Sequence, residues 1–123
     1  MTIQIINEEF SVCKVADYGG IDLSEPFVFT GSTDEEKSLV CPVRLLPDNT
    51  LDREDGWQAF RIEGQLDFSL VGILADLSRI LAEGKVGIFA ISTFNTDYIL
   101  TRSEDFDRAV RLLTQAGYSV KTN

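Results

Sequence analysis

The sequence predicts an α+β fold with antiparallel sheets, built on a ferredoxin-like β-α-β-β-α-β unit in the second half of the chain. Three observations lead there. Apolar residues recur at helical spacing in two blocks, Leu70, Ile73, Leu74, Leu77, Ile80, Leu81 and Phe106, Ala109, Val110, Leu113. Short runs rich in β-branched and aromatic residues alternate around them. Glycines stand at the changes of pattern, at Gly64, Gly84 and Gly117. Two helices on one face of a small antiparallel sheet is the arrangement this order gives.

The N-terminal half comes first and holds strands but little helix. Residues 10–15 alternate, and residues 27–30 and 38–41 pair as a hairpin around Thr33-Asp34-Glu35-Glu36. Pro26, Pro42 and Pro47 punctuate it. Residues 47–56, polar and charged, read as a linker. In the second half, residues 59–63 alternate as a strand and a helix covers 69–83, with Gly84 at its C′ position. Residues 86–92 are a strand, 93–96 turn it, and 97–101 return. Ser103 suits an N-cap, with Glu104, Asp105 and Asp107 in the first turn where the helix dipole favours acids. Gly117 stops that helix, and residues 118–121 form a last strand. The division is residues 1–55 and residues 56–123. Trp57 reads as a packing residue near the junction.

The two halves echo one another. Phe29, Ser32, Thr33, Leu39 and Val40 are matched sixty residues later by Phe89, Ser92, Thr93, Ile99 and Leu100. Similar residues at one fixed shift indicate a degenerate first copy of the same hairpin.

Composition narrows the function. The 123 residues suffice for one ordinary domain or two very small ones, and 44% are hydrophobic. Twenty acids against 11 bases give a formal charge of −9, which argues against nucleic acid and against an anionic membrane surface. The apolar runs are too short to span a bilayer, and the N-terminus lacks a secretory pattern, so a cytoplasmic protein is expected. There is no histidine, which removes Ser-His-Asp and Cys-His chemistry and histidine metal sites. No cofactor motif is present; Gly19-Gly20 lacks the lysine of a phosphate loop. Cys13 and Cys41 read as buried thiols. The expectation is a protein that is not an enzyme.

Residues 66–74, Leu-Asp-Phe-Ser-Leu-Val-Gly-Ile-Leu, together with Ser92-Thr93-Phe94-Asn95-Thr96-Asp97-Tyr98, resemble the ACT domain. More narrowly, they are similar to small bacterial tandem ACT-domain proteins that resemble the ACT units of animal cytosolic arginine sensors. The likeness runs from about Trp57 to Val120. The 33–41 stretch is similar to the shortened, helix-poor first unit of that group. The resemblance implies a full ACT domain at 56–123 and a shortened ACT-like unit at 1–55. It implies a non-catalytic regulatory or sensor module that binds a small molecule, an amino acid, at an interface between ACT units, acting as a homodimer or with a regulatory protein partner. Carried over by position, the ligand-binding residues are Asp67, Phe68, Ser69, Val71, Gly72 and Ile73, joined by Ser92, Thr93, Phe94, Asn95, Thr96 and Asp97.

A helix N-terminus and nearby side-chain oxygens suit the carboxylate and ammonium of an amino acid. Each residue also has a structural reading. Asp67 or Ser69 suits the helix cap, Gly72 suits close packing, and Asn95 and Thr96 are ordinary turn formers. Phe94 at a hairpin tip is either a contact residue or a core plug.

Overall fold

The computed structural model describes residues 1–63 and 72–122. In chain order these form β1 (Thr2–Val15), β2 (Phe29–Ser32), β3 (Lys37–Pro42), a 3-10 turn at Val43–Leu45, β4 (Thr50–Ile62), α1 (Ile73–Glu83), β5 (Phe89–Ser92), β6 (Asp97–Arg102), α2 (Ser103–Gln115) and β7 (Ser119–Thr122). The chain packs as two compact units, one of Met1–Asn7 with Gln58–Asn123, the other of Glu8–Trp57. The long strands β1 and β4 each contribute to both.

In the larger unit, β4-α1-β5-β6-α2-β7 reproduces the expected β-α-β-β-α-β order. One strand is added to it. The start of β1 lies between β7 and β4, giving the order β7-β1-β4-β6-β5. The β1–β7 pair is parallel, from Thr2↔Ser119 to Ile5↔Thr122, which corrects the expectation of purely antiparallel sheets. Main-chain bonds seat the inserted strand from both sides: Glu63 N–H donates to the Thr2 carbonyl at 2.8 Å, and Ser119 N–H to the Met1 carbonyl at 3.0 Å. Ile3, Phe60, Ile62 and Ile99 of the sheet pack against Leu77 and Leu81 of α1 and Phe106, Ala109 and Leu113 of α2. The intervening residues Gln4, Arg61 and Tyr98 therefore fall on the helix-free face.

The helix ends follow local rules with two shifts. Both helices close with paired 6→1 and 5→2 bonds: Val86 to Leu81 and Lys85 to Ala82 after α1, Tyr118 to Leu113 and Gly117 to Thr114 after α2. Gly117 takes the left-handed position, φ 104°. After α1 that position falls to Lys85, φ 62°, rather than Gly84. Gly84 serves close packing instead, since a Cβ there would run into Leu112 Cδ1. At the start of α2, Arg102 rather than Ser103 is the N-cap. Arg108 pairs with Asp105 at 3.4 Å and also donates to the Lys85 carbonyl.

The smaller unit runs β2-β3-β1-β4. Its β2–β3 hairpin is antiparallel, and no α-helix occurs among its residues. Cys13, Val15, Leu39 and Cys41 form its core, with both thiols free and buried. Residues 50–56, expected as linker, are strand instead. Their charged, exposed side chains hide the period, and Arg53 pairs with Asp55 two residues on at 2.6 Å.

Candidate ligand groove at the β5–β6 tip

The β5–β6 hairpin pairs Phe89↔Leu100, Ala90↔Ile99, Ile91↔Tyr98 and Ser92↔Asp97. Thr93 closes its turn. The Thr93 N–H and hydroxyl both donate to the Thr96 carbonyl at 2.9 Å, and the Thr96 N–H donates back to Thr93 Oγ1 at 3.3 Å. Thr96, only 7% exposed, donates its hydroxyl to the Ile62 carbonyl at 2.8 Å. That bond ties the hairpin tip to the last residue of β4. Ser92 Oγ donates to Asp97 Oδ1 at 2.6 Å, so the carboxylate of a strand-opening aspartate has a local partner.

Beside this tip is an open groove of about 320 Å³ lined by Gln4, Arg61, Ile62, Glu63, Asn95, Thr96 and Tyr98. Arg61 is fixed within it. Its Nε and one terminal nitrogen donate to Gln4 Oε1 at 3.1 and 2.9 Å, and the other donates to Tyr98 Oη at 3.0 Å. The guanidinium carbon also lies 5.8 Å from the Tyr98 ring centre. Lys121 Nζ reaches Glu63 Oε1 at 2.9 Å. The parallel register places Lys121 opposite Gln4. A polar row thus crosses the helix-free face from β7 through β1 and β4 to β6.

Of the residues expected to bind ligand, Asp67, Phe68, Ser69 and Val71 lie outside the described residues. The helix expected from 69 begins at Ile73, and Gly72 is its N-cap in the left-handed region at φ 87°. Among the described residues a Cβ at Gly72 would meet nothing within 4 Å, and the left-handed backbone accounts for glycine there. Ile73 packs half-buried on the core. Asp76, in the first turn, receives Arg79 at 2.9 Å and the Tyr118 hydroxyl at 3.1 Å, and these hold its carboxyl below the usual carboxylate range. Burial, then Asp76, pushes the Tyr118 phenol up. At the hairpin, Thr93 and Thr96 build the turn, Ser92 and Asp97 pair with each other, Phe94 is 73% exposed, and Asn95 lines the groove.

Four polar groove residues, Gln4, Arg61, Glu63 and Tyr98, and the apolar Ile62 were not among the expected site residues. One signal was available for two of them. Arg61 alternates with the buried Phe60 and Ile62, so it takes the opposite face of β4, and Glu63 continues the same alternating pattern in sequence just beyond the strand.

The ACT domain profile matches residues 52–115, just over half of the chain. This chain belongs to the ACT domain family. Among solved structures, the Agobacterium tumefaciens protein Atu0741 is similar along 99% of this chain and 92% of its own, at 29% identity and a TM-score of 0.87. The regulatory subunit of aspartate kinase from Thermus thermophilus, in its ligand-free form, shares the fold at 10% identity and a TM-score of 0.65, covering 95% of this chain and 97% of that one. The Clostridium acetobutylicum aspartate kinase matches 94% of this ACT protein at 17% identity and a TM-score of 0.68, over 34% of the kinase. No curated protein matches the sequence significantly. Family membership supports a regulatory, ligand-binding module. No helix among the described residues is long and apolar enough to cross a membrane.

Proposed function

We propose that this chain is a non-catalytic, cytoplasmic sensor that binds a small ligand, an amino acid, at an ACT interface. In this reading residues 56–123 are a full ACT domain, 1–55 a shortened ACT-like unit, and the protein works as a homodimer or through a regulatory partner. The ligand meets Asp67, Phe68, Ser69, Val71, Gly72 and Ile73 on one side and the residues from Ser92 to Asp97 on the other. The observation that carries the reading is the Thr96–Ile62 bond. It holds the hairpin tip at the last residue of β4. The fold shared with an aspartate kinase regulatory subunit and with an aspartate kinase described as an allosteric enzyme supports the regulatory part.

The test is a thermal-shift screen of the free L-amino acids. A ligand at a hundred times its dissociation constant adds about 2.7 kcal/mol to the folded state. Asp67→Ala and Asp97→Ala should reduce the shift. A shift untouched by both would move the site elsewhere. A second reading is favoured by the exposure of Phe94: a protein–protein interaction module with a vestigial pocket. There, no amino acid shifts the melting curve, and Phe94→Ser abolishes capture of the partner while leaving stability within about 0.5 kcal/mol.

A further inference from the structure

We infer that Glu63 is the ammonium acceptor, and Arg61 the carboxylate partner, of an α-amino acid held in the groove beside the β5–β6 tip. The inference rests on the amino-acid reading above and deepens it. Its starting point is an unmet need. Glu63 lines the groove, and Lys121 occupies one of its carboxylate oxygens, Oε1. The other, Oε2, is shielded from solvent and accepts no hydrogen bond among the described residues. A shielded carboxylate oxygen without a donor is costly, and a ligand ammonium removes that cost with a charge-assisted bond.

The rest of the lining defines the ligand. Arg61 lies near the end of β4 and Glu63 directly follows that strand, and both side chains line the same groove. Gln4 and Tyr98 fix the guanidinium before any ligand arrives. The remaining polar side chains in the groove, Gln4, Asn95, Thr96 and Tyr98, are neutral. Arg61 and Glu63 side by side complement the two ends of a zwitterion, and Arg61 with Lys121 at the rim selects against a polyamine. At about 320 Å³ the groove is at the small end of the usual range for ligand sites, about 300–1,000 Å³, which suits a free amino acid better than a nucleotide.

The experiment is calorimetric titration of the full chain with the free L-amino acids at millimolar concentration. The amino acid that binds is then compared with its α-hydroxy acid and its decarboxylated amine. Glu63→Gln should bind that amino acid about 10- to 100-fold more weakly. The wild-type protein should disfavour the hydroxy acid by a similar factor, and Glu63→Gln should no longer tell the two apart. Arg61→Met should erase the preference over the amine. A hydroxy acid bound by wild type as tightly as the amino acid overturns the inference without any variant having to fold. A Glu63→Gln affinity equal to wild type, in a protein of unchanged circular dichroism, overturns it while leaving the amino-acid sensor standing. Failure of every amino acid to bind wild type overturns both.

Discussion

The β2–β3 and β5–β6 hairpins are the same device put to two uses. Phe29↔Val40, Thr30↔Leu39, Gly31↔Ser38 and Ser32↔Lys37 repeat sixty residues later as Phe89↔Leu100, Ala90↔Ile99, Ile91↔Tyr98 and Ser92↔Asp97. Each turn is closed by a threonine whose N–H reaches a carbonyl three residues on at 2.9 Å, Glu36 in one and Thr96 in the other. The difference lies in the rest of the turn. Asp34-Glu35-Glu36 is wholly exposed, whereas Phe94-Asn95-Thr96 ends in a buried hydroxyl bonded to β4. The threonine turn and the apolar pairs set the hairpin. The fourth turn residue decides whether the tip is solvated or docked.

The strongest way to break the contrast is Thr96→Val, which leaves the Ile62 carbonyl without its buried donor and should cost about 1–3 kcal/mol in urea unfolding. Glu36→Val, at the corresponding site, should stay within about 0.5 kcal/mol because that position faces water. Equal losses at both would mean that the docked tip contributes nothing beyond an ordinary turn. Smaller effects come from the closing threonines. Thr93→Val should cost about 1 kcal/mol, since its bond is short and half-buried, and Thr33→Val under about 0.5 kcal/mol, because its bonds are longer, 3.2–3.4 Å, and exposed.

The last contrast vanishes at neutral pH. Cys41 corresponds to Thr101 in the second hairpin, and both are fully buried. Burial, reinforced by Cys13, pushes the Cys41 thiol from 9.0 up to about 12. The folded chain therefore keeps a proton that the unfolded chain releases, and stability holds below pH 9 and falls as pH rises from there toward 12. Cys41→Val should flatten that alkaline limb in denaturation measured across the interval. An unchanged slope would assign the limb to other groups.

Much of this was readable beforehand because it obeys short-range rules. The two helices, the hairpins and the sixty-residue echo follow from apolar periodicity and from threonine at fixed places. What escaped depends on long-range pairing or on exposure. The strand at 50–56 lacks an apolar period because Asp52 to Asp55 all face water. Helix α1 starts later than its apolar spacing implies, since Leu70 and Val71 extend the pattern whereas Gly72 breaks it by its left-handed backbone. Gly84 looked like a helix stop and is a spacer for Leu112. The hairpin half of the candidate site was legible as a polar run. Arg61 and Glu63 were not, because an isolated charge in a strand declares no purpose until neighbouring strands bring Gln4, Lys121 and Tyr98 beside it.

The seating of residues 2–5 between β7 and β4 has a consequence for biogenesis. Residues 2–5 and their sheet neighbour β7 lie far apart along the chain, with all the other elements between them. The larger sheet therefore stays unfinished until β7 has been made, and its closure belongs to the slow, non-local class of folding steps. A fragment cut to the span that carries the family signature would leave β4 with a bare edge, open to pairing with other chains.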